Sequence, residues 1–321
     1  MVIFAYYNKP NTFSDMKRAI LLLCGVLMLV ASASARQPRT RSERLLAELR
    51  NPKSKYVFVA AHRGDWRNWP ENSIEAMHSA VAMGVDILEI DVAMTKDSVL
   101  IVMHDRKLDR TTRMKGYVKD YLWKDICTHH LRTGSGSSSD ILVPTLESLF
   151  IACKDMAIIN IDGTNAWPYF EEIYEMAKRL DMLDQVLFKG GRGITIDYLK
   201  EHQMLYMPIV GASSPRGQKA IEMYLAGYPC IGYEMCMNRK VTDDDRIYFR
   251  KILEGGSLPM VSTLWRSSGG GYSDDRAALE GCDKIYGPLL DMGTRIIQTD
   301  RPALLIDYLK KCGLRKMKEK K

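Results

Sequence analysis

Several absences narrow the field before any motif is read. The chain holds only seven cysteines in 321 residues, and none stands in metal-ligand spacing, which argues against a zinc or iron–sulfur centre. No stripe of basic residues is interleaved with aromatics and the formal charge of +7 is modest, so a nucleic-acid partner is not expected. The notable apolar run, Ala19 to Val30, is too short to cross a bilayer as a mature helix. No glycine-rich phosphate loop follows the first apolar strand pattern, and no internal repeat is found. What remains, 46% hydrophobic and 26% charged, suits a globular protein and excludes a fibrous or wholly disordered one.

The ends of the chain read differently from its middle. Met16-Lys17-Arg18, the apolar run and Ala33-Ser34-Ala35 before Arg36 together have the form of an export signal over residues 1–35, with Met16 as its natural start. A retained anchor, or a lipid on Cys24, is the rival reading, but Leu23 stands where lipidation wants a small residue. The expectation is therefore an exported protein, periplasmic or secreted, without stable membrane insertion after cleavage. Export permits disulfides among the six remaining cysteines, although a domain of this size does not need them, and buried free thiols are the reading adopted. Residues 36–55 form a polar lead-in with a helical pattern near Ser42 to Leu49. Residues 313–321, with Arg315-Lys316-Met317-Lys318-Glu319-Lys320-Lys321, read as a solvated basic tail.

Between these ends, over residues 56–312, short apolar runs alternate with amphipathic stretches. Strand patterns occur at 57–61, 87–92, 100–103, 157–161, 186–188, 206–210, 230–233, 260–264 and 295–298. Helical periodicity fills most gaps, at 73–83, 145–153, 167–180, 196–202, 217–226, 243–253 and 302–311. Repeated strand–helix units imply a parallel sheet with crossover helices. Only Thr95-Lys96-Asp97-Ser98 separates the second and third strands, far too little for a parallel crossover, so that connection is a hairpin. Nine strands less one antiparallel return leaves eight, the number that closes a (β/α)8 TIM barrel; an open doubly wound sheet is the alternative. The run 134–139 reads as a flexible surface loop.

Barrels of this kind carry their chemistry at the C-terminal ends of the strands. There the sequence places His62-Arg63-Gly64, then Glu89-Ile90-Asp91, then His104-Asp105, then Asp162. Residues two apart on a strand share a face, so Glu89 and Asp91 converge. With the hairpin pivoting between Asp97 and Ser98, Asp91 falls opposite His104. Three carboxylates with no cysteine among them suit one hard divalent cation, Mg²⁺ or Ca²⁺, and a salt-bridged structural cluster is the alternative. His62 and His104 are the acid–base candidates, and Arg63 offers a planar fork for phosphate. A cation, an arginine and two histidines around one pocket point to phosphodiester cleavage.

These residues resemble the glycerophosphodiester phosphodiesterases. The resemblance rests on H-R-G at His62, P-E-N-S from Pro70 to Ser73, G-x-D-x-x-E-x-D-V from Gly84 to Val92, T-K-D, H-D-x-x-L-D-R-T-T from His104 to Thr112, V-P-T-L-E from Val143, and I-Q-T-D-R-P from Ile297. It implies a TIM barrel binding a divalent cation through Glu89, Asp91 and Asp162, with His62 and His104 as acid and base and Arg63 on the phosphate. It also implies a small-molecule glycerophosphodiester substrate, hydrolysed to sn-glycerol 3-phosphate and an alcohol. The chain departs from the family at Asp162-Gly163-Thr164, where relatives carry E-x-K. Lys189, at the end of the next strand, is expected to supply the missing charge near the phosphate. Trp265 resembles the aromatic wall of the relatives' glycerol pocket. A lipid-active phosphodiesterase of the same superfamily and a non-catalytic phosphodiester-binding protein are the other readings.

Overall fold

A computed structural model describes residues 39–51, 53–191, 194–238 and 240–317; the expected export segment lies outside them. Eight strand positions form the parallel wall. They are β1 (Phe58–His62), β2 (Ile87–Ile90), β7 (Ile158–Asp162), β8 (Val186–Lys189), β9 and β10 (Leu205–Met207 and Ile209–Val210, one strand broken at Pro208), β11 (Gly232–Met235), β12 (Leu258–Ser262) and β13 (Ile296–Thr299). Pro208 lacks an amide hydrogen, which accounts for the break. The pairing runs β10-β11-β12-β13-β1-β2-β7-β8-β9. The amide groups of Ile231 and Cys236 donate to the carbonyls of Tyr206 and Val210, at 3.0 and 2.7 Å, and these bonds close the ring.

Strand alternation sorts the interior into layers. The lower layers are apolar: Phe58, Ile87, Ile158, Leu187, Leu205, Leu258 and Ile296 pack in one buried cluster. A fully buried side chain of this size contributes roughly 1.5–3 kcal/mol. The same inward parity, continued to the upper end, delivers His62, Glu89, Asp162, Lys189, Glu234 and Gln298. The polar lead-in has a structural task. Thr40 caps the helix Arg41–Leu49 with a capping box, and Leu45, Leu46 and Leu49 plug the bottom of the barrel.

Three expectations need correction. The hairpin of β3 (Val92–Met94) and β4 (Leu100–Val102) pairs Val92 with Val102 and Met94 with Leu100, so its centre is Asp97 and Asp91 pairs with Met103, whose amide donates to the Asp91 carbonyl (3.0 Å). The cause is a three-residue loop ending in Ser98 at φ 62°, which moves the register by one. The run 134–139 is the tip of a second hairpin, β5 (His130–Arg132) with β6 (Ser138–Leu142). Helices Asp274–Glu280 and Cys282–Asp291 lay in a stretch without a helical reading, because Gly281 and Pro288 interrupt their periodicity.

The first residues of the expected basic tail are anchored rather than solvated. The Arg315 guanidinium donates to both oxygens of fully buried Asp86 and to the Val57 carbonyl, and Met317 packs on the plug. Asp86 also accepts from the Tyr56 hydroxyl and the Val59 amide, both at 2.9 Å. Arg315→Ala is expected to cost about 3 kcal/mol, near the low end for breaking a buried pair because those donors remain. The measurement is a urea transition, and an unchanged midpoint would show that the tail is dispensable.

Candidate functional site

The upper rim of the barrel holds a charged cup, and each wall has a local reason. At the end of β1 the chain turns through Arg63 and Gly64, at φ 55° and 76°, and a Cβ on Gly64 would press on the Ala76 backbone. This turn aims the Arg63 amide at Glu89 Oε2 (3.0 Å) and its side chain at Glu71 (3.0 Å) and Asp91 (3.3 Å). Asn72, also left-handed at φ 61°, donates to Asp91 Oδ2 (2.9 Å). Glu89 and Asp91 are thus held together in a nearly dry place, 2% and 5% exposed. Burial, and then the charge of Asp91, pushes the Glu89 carboxyl above the usual carboxylate range.

Both histidines are held by a carboxylate at Nδ1. His62 meets Asp300 at 2.8 Å, and Asp300 also accepts from the Trp66 indole (2.6 Å). Burial pulls the His62 imidazole down, yet Glu89 and Asp300 outweigh it and its pKa is raised. His104 meets Asp105 at 2.6 Å and is more open to solvent. Arg110 grips Asp105 and reaches across to Glu71, which also pairs with Arg63. That grip, the largest influence on Asp105, brings its carboxyl down to about 2. One chain of contacts therefore runs from His104 through Asp105, Arg110, Glu71 and Arg63 to Asp91.

On the far side Asp162 caps a short helical turn, accepting from the Thr164 amide (2.8 Å). Burial opposes its charge, but Lys189 prevails and the carboxyl falls to about 2. A Cβ at Gly163 would collide with the Lys189 carbonyl oxygen, so the close approach of β7 and β8 demands glycine at the first place after Asp162. The Lys189 ammonium, 1% exposed, lies 3.0 Å from Asp162, 3.2 Å from Glu234 and 3.8 Å from Glu89, with the Gln298 oxygen at 3.1 Å. Those carboxylates raise its pKa well above the ordinary lysine value against the effect of burial.

The predicted residues thus come together, with two qualifications of placement. Lys189 is turned into the carboxylates, and any contact with phosphate is shared with them. Trp265, 56% exposed, stands at the mouth with its ring edge-on to His62, centroids 5.9 Å apart. Sequence reasoning missed Glu234 and Gln298. Reading the strand at 230–233 one residue further would have exposed Glu234 by the same strand-end filter. Glu71, Asp105, Arg110 and Asp300 stood inside the quoted motifs without a role.

Among the described residues no three carboxylate or imidazole side chains already converge as a ligand set, because the Lys189 ammonium lies between them. The donor chemistry nevertheless fits a hard cation. Glu89, Asp91, Asp162 and Glu234 offer only oxygens and face two cationic side chains, Lys189 and Arg63, as a site for a hard cation would.

Comparison with known proteins finds relatives in sequence and in fold. Residues 62–209 match the glycerophosphoryl diester phosphodiesterase family, and residues 206–309 match a domain family of unknown function. A glycerophosphodiester phosphodiesterase of Bacillus altitudinis is 32% identical over 191 residues, which cover 54% of this chain and 74% of the relative. The structure of a glycerophosphoryl diester phosphodiesterase from Parabacteroides distasonis superposes with a TM-score of 0.69 at 20% identity, over 86% of this chain and 93% of that one. An Oleispira antarctica phosphodiesterase, solved with the product sn-glycerol-3-phosphate, superposes at 0.57 and 19% identity, over 79% and 97%. The barrel is shared with both.

Proposed function

Because the chain belongs to the glycerophosphodiester phosphodiesterase family, whose members are phosphoric diester hydrolases, we propose that it hydrolyses a glycerophosphodiester to sn-glycerol 3-phosphate and an alcohol. The observation that carries this reading is the pair of histidines, each fixed through Nδ1 by its own carboxylate, beside a cup of carboxylates. Fixing the Nδ1 proton leaves Nε2 of each ring to exchange one. One histidine takes the proton from the attacking oxygen, that of water or of a glycerol hydroxyl; in the second case a cyclic phosphate forms first, and water opens it in a further step of the same kind. The other returns a proton to the departing alcohol, so the oxygen leaves neutral. Arg63, already aligned by Glu71 and Asp91, turns its fork to the phosphate, and Trp265 walls the glycerol side.

Glu89, Asp91 and Asp162 would hold one divalent cation, Mg²⁺ or Ca²⁺. Such an ion, when bound, stabilises charge on the phosphoryl oxygens. Lys189, held among Asp162, Glu234 and Gln298, would keep beside that ion the positive charge that relatives place two residues after their third carboxylate. The form of residues 16–35 makes the periplasm or the exterior the place of action.

The test is release of glycerol 3-phosphate from glycerophosphocholine, glycerophosphoethanolamine and glycerophosphoinositol by the chain beginning at Arg36, with Mg²⁺ or Ca²⁺ and with EDTA. Turnover that EDTA abolishes is expected, and no release from any of the three diesters overturns the reading. Glu89→Ala should weaken cation binding by calorimetry at least tenfold; an unchanged titration removes Glu89 from the ligand set.

A further inference from the structure

A groove of about 1240 Å³ opens beside the cup. It borders the cup at Asn165, a lining residue whose amide donates to the His104 carbonyl (3.0 Å), and at Val92, Gly163 and Gly190, which follow Asp91, Asp162 and Lys189 in the chain. Its volume exceeds the 300–1,000 Å³ or so usual for pockets that enclose a drug-sized ligand. A glycerophosphate half alone would not fill it. None of its described lining residues is aspartate or glutamate, whereas Arg106, Lys119 and Arg216 all line it. Arg106 is oriented by Asn165, whose oxygen accepts from its Nε at 3.2 Å. Arg216 sits in the first turn of the thirteen-residue helix Pro215–Gly227, whose amino end adds its own partial positive charge. Aromatic side chains such as Tyr117 and Trp167 line the groove too, but Lys107 and Lys119 already lie over the Tyr117 ring, at 5.0 and 5.8 Å, so a choline head group would meet competing cations there.

Resting on the proposed hydrolysis, we propose that this groove selects diesters whose alcohol is a polyol carrying a second phosphate. The cations meet that phosphate, and the hydroxyl and amide side chains of Ser213, Ser214 and Asn238 along the same wall meet polyol hydroxyls.

Glycerophosphoinositol and glycerophosphoinositol 4-phosphate differ by one phosphate and make the test. In the wild-type chain with saturating Mg²⁺, kcat/KM for the phosphorylated diester should exceed that for the plain one on the order of tenfold, and the ratio should shrink in 0.5 M NaCl, roughly where the screening length falls to a few ångströms. In Arg216→Glu with Lys119→Glu the ratio should fall to about one; being a ratio within one preparation, it is insensitive to loss of folded protein. Equal kcat/KM values in the wild type, or a ratio that survives the double substitution, overturn the proposal while leaving hydrolysis intact. Calorimetric binding of inositol 1,4-bisphosphate separates the two readings. Binding that the double substitution abolishes, in a chain that cleaves no diester, supports the groove and sinks the hydrolysis; absence of binding to the wild type counts against the groove.

Discussion

His104→Ala and His62→Ala should each lower kcat/KM for glycerophosphodiesters by roughly 10²–10⁴-fold, the range for a lost general acid or base. That corresponds to about 3–5 kcal/mol of transition-state stabilisation. The loss should appear in turnover rather than in cation binding. Neither imidazole is among the cup's oxygen donors, and the Glu71–Arg110–Asp105 linkage that steadies His104 does not depend on the imidazole. His62→Ala leaves Asp300 its second donor, the Trp66 indole, so that wall should keep its form. Steady-state kinetics with a parallel cation titration decides the matter. A loss smaller than tenfold in either variant would remove that histidine from proton transfer, and a matching collapse of cation affinity would mean the substitution had damaged the cup instead.

The second large effect concerns stability. Lys189→Met removes a fully buried ammonium and leaves Asp162, Glu234 and Glu89 facing one another without compensation. Breaking a buried charge network in this way typically costs about 3–5 kcal/mol. In EDTA the urea midpoint of this variant should therefore drop sharply. Adding Mg²⁺ or Ca²⁺ should then restore more stability to the variant than to the wild type, because the ion binds the folded cup and answers the same charges. A variant as stable as the wild type in EDTA would show that Lys189 does not hold the cup together. Failure of either ion to stabilise it would argue against cation binding by these carboxylates. Wild-type turnover in the same variant would dispose of the idea that Lys189 supplies the charge absent after Asp162.

Much of this arrangement was legible in the sequence because it obeys one local rule. Inward parity along a strand, extended to the C-terminal end, brings His62, Glu89 and Asp162 to one place, and the E-x-D spacing adds Asp91. The same rule misplaced His104, since hairpin register depends on loop geometry; Ser98 in a left-handed conformation shifts the pairing so that Met103, not His104, meets Asp91. The rule passed over Glu234 only because the strand was ended one residue early. What parity cannot reach is the ring of Asp105, Arg110 and Glu71, whose members come from turns 34 and 39 residues apart in the case of Glu71 and are joined by side-chain geometry alone. Nor could composition reveal that a polar lead-in hides three leucines aimed at the barrel floor, or that Arg315 returns to a buried aspartate.

That aspartate ties both ends of the fold to one spot. Arg41 and Arg315 approach Asp86 from the two extremes of the described chain, at the foot of the barrel and opposite the cup. A surface handle, fluorophore or fusion joined after residue 317 would thus enter at the floor, and protein immobilised through it would present its open mouth to the surrounding solution. The same proximity makes the fold suited to circular permutation, with a short linker across the floor and new ends cut at the exposed tip near Gly136.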